Sequence, residues 1–342
     1  MSEIQTDNTK KGATYESELR QDIVTGDWVV IATGRAKRPD DFIVAARIPS
    51  GNEHDPFEHP EASEQEKDVL IYRRDDGDWS LRVFPNKYPA FSRGKAVREL
   101  SEGPYFAMTG VGYHEIVVTR DPKHSLALLE TWQVAEVLDA FQDRYISLMN
   151  KKSVNYIQIF HNHGKEAGAS ISHPHSQLMA IPVISPYIEG ELDGAERYYR
   201  ANRHKVYEVM AEYESAEGKR VVFENDHFIA FCPFASRAAF EVWVVGKHPN
   251  PYFERINDEE KFAAAEALRM ALKAIHDGLN DPAYNFYIHT APCDGREYPH
   301  YQWHIEILPH TATWAGFELS TGIEVSTIQP EVAAEYLRSK IA

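Results

Sequence analysis

Cysteine is scarce: only Cys232 and Cys293 occur among 342 residues. Neither a disulfide framework nor a Cys-x-x-Cys metal knuckle is available. Positive charge is also in deficit, with 36 Lys and Arg against 52 Asp and Glu and a formal net charge of -16. A phosphate backbone would be repelled, which excludes nonspecific nucleic-acid binding. A small phosphorylated ligand in a local basic pocket is not excluded. No apolar run approaches the roughly 20 residues needed to span a bilayer, and Met1 to Ser17 lacks the apolar core of a signal peptide. The expectation is a cytoplasmic protein. Hydrophobic residues at 43% and charged residues at 26% are ordinary globular usage, and the length suits two domains or one fused fold.

Histidine, in contrast, is plentiful and clustered. Of the 16 histidines, eight fall within 161–175 and 289–310. The organisation around them repeats. Residues 1–18 read as a flexible tail, and the Glu-, His-, Pro- and Gly-rich stretch from Ala46 to Lys67 as a loop. Strands are expected at Leu81–Phe84, Glu115–Thr119, Tyr156–Phe160 and His173–Ile181, with a helix over Leu126–Asn150. After a second helix at Glu191–Glu214, strands recur at His227–Phe231, Glu241–Val245, Asn285–His289 and Trp303–Leu308, with a helix over Asp258–Leu279. A final helix starts near Pro330, which suits a first helical position. The spacing repeats too: 58 residues separate Glu115 from His173, and 59 separate Glu241 from His300. The chain therefore reads as a duplicated α+β unit, with halves at 19–190 and 191–342.

Each half carries a chemistry-bearing strand. Pro174 keeps the first extended, and alternation puts His173, His175 and Gln177 on one face. In the second half, the same period puts His300, Gln302, His304 and Glu306 together. Two imidazoles and an amide are poor core filling, because each needs polar partners; the bland alternative is a satisfied surface cluster. Small residues before His173 would let a phosphate approach the backbone. Aligned on the first histidine, His-x-His-x-Gln lies over His-x-Gln-x-His, so His175 lies over Gln302. An amide is no useful nucleophile, so only His175 could serve as one, and the other half would support it or bind metal.

His-x-His-x-Gln on a duplicated strand-helix unit resembles the histidine triad superfamily, in its double-length branch, the galactose-1-phosphate uridylyltransferase family. Further matches run through most of the chain: Arg35-Ala-Lys-Arg38-Pro39, Phe84-Pro-Asn86, Asp121-Pro-Lys-His124, Phe160-His-Asn162-His-Gly164 and Trp314-Ala-Gly-Phe-Glu318. The resemblance implies two fused histidine-triad-like halves, antiparallel sheets with packed helices. It implies a hexose-1-phosphate uridylyltransferase of galactose metabolism. His175 would take the uridylyl group from UDP-glucose, release glucose 1-phosphate and pass the group to galactose 1-phosphate. Splitting transfer into two displacements lets one site use both sugar phosphates in turn. By the same resemblance Gln177 and Ser170 would hold phosphate oxygens, Asn162 would help position them, Arg35, Arg38 and Asn86 would bind the nucleotide, and Glu318 the sugar hydroxyls. Family members are commonly homodimers with shared sites.

Two metal centres are also implied. Relatives hold zinc with a cysteine pair and two histidines. Here the histidines correspond to His124 and His173, but Asp55 and Glu58 replace the thiolates; harder-ligand metal binding and an empty, solvated loop both remain open. A second site would use Glu191, His289 and His304, with Glu306 in place of a further histidine, and would suit zinc or iron; a hydrogen-bonded polar cluster is the alternative. Lys87 stands where an acid is common in uridine enzymes, and Leu319-Ser-Thr-Gly322 resembles the branch that includes plant ADP-glucose phosphorylase. A phosphorylase passing an adenylyl group from ADP-glucose or a dinucleoside polyphosphate to phosphate is therefore the alternative activity. A hydrolase of the histidine triad type and a noncatalytic metal- or nucleotide-binding protein are further alternatives.

Overall fold

The computed structural model describes residues 17–33, 37–45, 55–94 and 96–341. Its strands are β1 (Glu18–Gln21), β2 (Trp28–Ile31), β3 (Leu70–Arg73), β4 (Trp79–Pro85), β5 (Glu99–Glu102), β6 (Tyr105–Met108) and β7 (Tyr113–Thr119). Helix α1 (Thr131–Met149) leads to β8 (Tyr156–His163) and β9 (His175–Ile181). Helices α2 (Pro186–Asn202) and α3 (Val206–Glu217) join the halves. Then come β10 (Val221–Glu224), β11 (Phe228–Phe231), β12 (Val242–Gly246), α4 (Asp258–Leu279), β13 (Tyr284–His289), β14 (His304–Pro309), α5 (Gly316–Thr321), β15 (Val325–Ser326) and α6 (Pro330–Arg338).

Ten strands form one sheet in the order β10-β11-β12-β14-β13-β8-β9-β7-β4-β3. Every neighbouring pair in it is antiparallel. From either edge inward the connectivity is the same: a hairpin, a third strand, then a helix and a hairpin whose strands enter in reversed order. The two halves meet at β8 and β13, where Asn162 pairs with Asn285 and Ile159 with Ile288.

Alternation sorts the sheet's faces. Val117, Ile157, Ile159, Leu178, Val244, Phe286 and Ile305 join the main core, with Val134, Leu138, Phe141 of α1 and Leu268, Leu272, Ile275 of α4. Asn257 and Glu260 cap α4 reciprocally, through Glu260 N–H to Asn257 Oδ1 at 2.9 Å and Asn257 N–H to Glu260 Oε2 at 3.0 Å. The opposite face carries the polar strand residues. Over the second half that face is covered by α3, whose Tyr207 and Ala211 pack with Trp243 and Val245.

Some expectations need correction. Glu18, assigned to the tail, pairs with Ile31 in β1; residues 1–16 lie outside the described residues. The single helix expected over Glu191–Glu214 is two, because Arg203 adopts a left-handed conformation (φ 62°) that ends α2. α2 itself starts at Pro186 behind the N-cap Ser185, so the boundary drawn at 190/191 falls inside it. β9 and β14 start at His175 and His304, leaving His173, His300 and Gln302 in the approach loops.

Candidate active site

Strand register assembles the first centre. On β9, His175 pairs with Val118 and Gln177 with Ile116 of β7. On the other side Gln177 pairs with Phe160 of β8, and continuing that register sets Asn162 beside His175. These residues share the face away from α1.

His175 is buried. Its Nδ1 lies 2.9 Å from the His173 carbonyl. A proton donated there leaves Nε2 with its lone pair free. Burial lowers the pKa, and the bond to the carbonyl recovers only part of the shift. The ring is therefore neutral near pH 7, as a nucleophile must be. Phe57 stands edge-on to it, 5.1 Å between ring centres.

Gln177 Oε1 accepts from His114 Nε2 at 2.8 Å. Burial lowers the pKa of His114, against the opposing pull of that bond, so its ring carries one proton. With that proton on Nε2, Nδ1 accepts from Ala90 N–H at 3.3 Å; Asn86 Nδ2 lies 3.2 Å from Nε2 and 3.5 Å from Nδ1. The Gln177 carbonyl is thereby occupied and its NH₂ faces the site as a donor. Asn162 is held likewise, its Oδ1 accepting from Asn285 Nδ2 at 2.7 Å.

Other expected ligands are scattered. Ser170 is exposed in the loop before β9, and Arg35 lies outside the described residues. Arg38 caps a short turn whose Phe42 packs on Phe240 at 5.2 Å, on the helix-covered face of the second half. Glu318 Oε2 accepts from Ala315 N–H, and Gly322 beyond α5 lines a small cavity with Trp243 of β12. β12 lies four strands from β9, about 19 Å at roughly 4.8 Å per step. Arg38 and Glu318 are thus not brought to this chain's own His175.

The first expected metal centre does not assemble. His173 offers Nδ1 to Asp55 Oδ2 at 2.7 Å and Nε2 to the Thr119 carbonyl at 2.7 Å, so both ring nitrogens are engaged. His124 is exposed and spends Nδ1 on Asp121. Between Asp55 and Glu58, Phe57 turns inward to pack with Trp79, Phe84, Ile116 and Val118. Asp55, Glu58, His124 and His173 therefore form no four-donor set.

The second set does come together. Glu191, His289, His304 and Glu306 are all buried, and one donor atom from each lies within 4.8 Å of the others. This is the one such group among the described residues. Glu191 Oε1 is 3.0 Å from His289 Nδ1, while its Oε2 accepts from Tyr301 OH at 2.5 Å. Glu306 Oε1 is 3.4 Å from His304 Nε2, while its Oε2 pairs with Arg237. His304 Nδ1 donates to the Gln302 carbonyl at 3.0 Å, leaving Nε2 as a lone-pair donor. Outer partners thus fix Glu191, His304 and Glu306 with one atom inward. Burial opposes ionisation of Glu306, but Arg237, then His289 and His304, hold it well below the usual carboxylate range. Glu241 and Glu306 share the Arg237 guanidinium, and Glu191 is a further buried carboxylate beside His289 and His304. The excess negative charge suits a divalent cation, so the residues fit a metal.

This geometry also corrects the internal alignment. His175 and His304 each open the last strand that their half gives to the ten-stranded sheet, and each donates Nδ1 to the carbonyl two residues before. His304, not Gln302, stands in the place of His175. Sequence reasoning missed His114, Asn285, Arg237 and Tyr301. His114 alone left a signal, sharing strand parity with Ile116 and Val118.

Residues 6–184 match the family model described as galactose-1-phosphate uridyl transferase, N-terminal domain. Residues 130–341 match a model described as a domain of unknown function. An ADP-glucose phosphorylase of Arabidopsis thaliana is 34% identical over 331 residues, covering 94% of this chain and 92% of that protein. A galactose-1-phosphate uridylyltransferase of Thermotoga maritima is 29% identical over 334 residues, covering 94% and 98%. A crystal structure of an Arabidopsis ADP-glucose phosphorylase with bound ADP-glucose has a TM-score of 0.80 at 31% identity, over 94% of this chain and 99% of that one. Fold, site and relatives together define a nucleotidyltransferase. The chain belongs to the galactose-1-phosphate uridylyltransferase family.

Proposed function

We propose that the protein moves a nucleotidyl group from a sugar nucleotide to an acceptor through His175. The observation that carries this is the buried neutral ring, with Nδ1 on a carbonyl and Nε2 free between two oriented amides. Nε2 attacks the α-phosphorus; the N–P bond forms as the P–O bond to the leaving sugar phosphate breaks. The proton stays on Nδ1, which donates it to the His173 carbonyl, and that hydrogen bond strengthens as the ring becomes cationic. An acceptor oxygen then attacks phosphorus, the N–P bond breaks and the neutral ring returns. The Gln177 and Asn162 amides donate to the phosphate oxygens, and Asn86 faces the nucleotide.

For the donor we favour ADP-glucose, with inorganic phosphate as acceptor and glucose 1-phosphate and ADP as products. The 34% identity to an ADP-glucose phosphorylase over nearly the whole chain supports this, as do Lys87 and the Thr321-Gly322 continuation. The second reading is uridylyl transfer from UDP-glucose to galactose 1-phosphate, supported by the family match over residues 6–184. Glu191, His289, His304 and Glu306 would hold zinc or iron, which would supply a cross-link tying α2 to the sheet. Arg38 and Glu318, remote from their own His175, would face that of a second copy in a homodimer.

Intact-protein mass after incubation with ADP-glucose, and separately UDP-glucose, without acceptor tests the reading. His175→Asn runs beside each. An adenylyl adduct absent from the variant, discharged by phosphate, is the expected result. A uridylyl adduct discharged by galactose 1-phosphate would select the second reading. No adduct from either donor would overturn nucleotidyl transfer through His175.

A further inference from the structure

The seam between the halves holds a relay that stands behind Asn162, outside the metal group. Asn285 of β13 pairs with Asn162 of β8. Its Nδ2 donates twice, to Asn162 Oδ1 at 2.7 Å and to the Ala167 carbonyl at 2.9 Å. Its Oδ1 accepts from His310 Nε2 at 2.6 Å. The Ala167 carbonyl can only accept, so it fixes the Asn285 nitrogen on that side, and the oxygen is left to face His310. That fixes Asn162 in turn: its oxygen is taken and its nitrogen left as the open end. A Cβ built on Gly168 would sit 3.7 Å from Asn162 Nδ2, so this donor faces the small-residue loop running into β9. Ala167, the other acceptor, belongs to the same loop. One side chain of the second half thus orders both the amide and the backbone of the first half's phosphate approach.

We propose that Asn285, backed by His310, is a positioning residue that presents Asn162 Nδ2 to the ligand's phosphate oxygens. This rests on the proposed nucleotidyl transfer. It gives the second half a direct part in ligand binding, across a seam formed only once the halves join. The physical requirement is asymmetric. An Asn162 amide turned the other way would aim its oxygen at an anion, converting a donor into a repulsive contact.

The decisive variant is Asn285→Asp. A carboxylate can still accept from His310 but cannot donate to Asn162, whose NH₂ would turn toward it and away from the ligand. Asn285→Ala frees the amide without inverting it. The initial rate of adduct formation with ADP-glucose and with UDP-glucose is measured for each change, alone and with Asn162→Ala. Asn285→Asp is expected to slow the reaction roughly tenfold to a hundredfold, and Asn285→Ala by less. In the Asn162→Ala background, either change should cost less than about twofold, because the group it orients is gone. Equal losses in both backgrounds, or no loss in Asn285→Asp, would overturn the proposal. Should Asn285→Asp fail to fold, the Asn285→Ala pair decides on the same criterion. If the unaltered protein forms no adduct, nucleotidyl transfer fails separately. The orientation claim is then read from calorimetric binding of the same sugar nucleotides, where the Asn285 changes must weaken binding only when Asn162 is present.

Discussion

His175 owes its state to its neighbours. Ordinary imidazole titrates near 6.5; here burial lowers that value, against the pull of the His173 carbonyl. The midpoint of the fall in adduct-formation rate, where the nucleophile protonates, should therefore lie below pH 6.5. A rate already halved at pH 6.5 would contradict this. His175→Asn should abolish the adduct in an intact-mass experiment while leaving the melting temperature nearly unchanged. His114 is the less obvious member. Its neutral ring gives Gln177 Oε1 a donor, so His114→Phe should free the Gln177 amide to rotate. A loss of roughly tenfold in kcat/KM is expected, by analogy with a weakened oxyanion donor. Double substitution with Gln177→Ala should show the two effects overlapping rather than adding.

At the scale of elements, α2 is tied down at two points. Gly194 faces the turn after β1, where an added Cβ would come within 1.9 Å of the Val24 carbonyl. Gly194→Ala must push helix and turn apart, a cost of about 1–3 kcal/mol visible as a lower denaturation midpoint. One turn earlier, Glu191 reaches the buried His289. Glu191→Gln should reduce bound metal, read by elemental analysis, and lower the melting temperature. The His175 adduct should still form, because β14 lies three strands from β9, about 14 Å. Metal loss with simultaneous loss of the adduct would tie the two centres more closely than the sheet suggests.

For the whole molecule, acid stability follows from where the histidines sit. Burial lowers the pKa of His161, His175, His114 and His310, whereas His304 is raised, its carboxylate neighbours outweighing burial. Between the depressed native values and 6.5 the unfolded chain binds more protons than the native one, so stability falls as pH drops through 6.5. His304 acts in the opposite sense. These four histidines contribute a decline to the denaturant midpoint from pH 7.5 to pH 5.5, against the opposite contribution of His304 and of Asp22, Glu214, Glu241, Glu254 and Glu324, whose carboxyl pKa burial raises. His161→Phe should flatten that decline.

Much of this was legible along the chain, because the relevant periods are local. Strand alternation put His175 and Gln177 on one face, and a repeated order of elements exposed the duplication. Glu191, His289, His304 and Glu306 were nominated by resemblance and do meet. What the chain could not reveal depends on neighbours far away in sequence. Where β9 and β14 begin decides that His304, not Gln302, is the counterpart of His175. Which strands lie side by side decides that His114 reaches Gln177 and Asn285 reaches Asn162. His173 is taken up by Asp55 and the Thr119 carbonyl and His124 by Asp121, so the first metal set does not form. Residue type and spacing determine which chemistry a strand can carry. Burial and cross-strand partners set its protonation, orientation and assembly, and those exist only in the folded sheet.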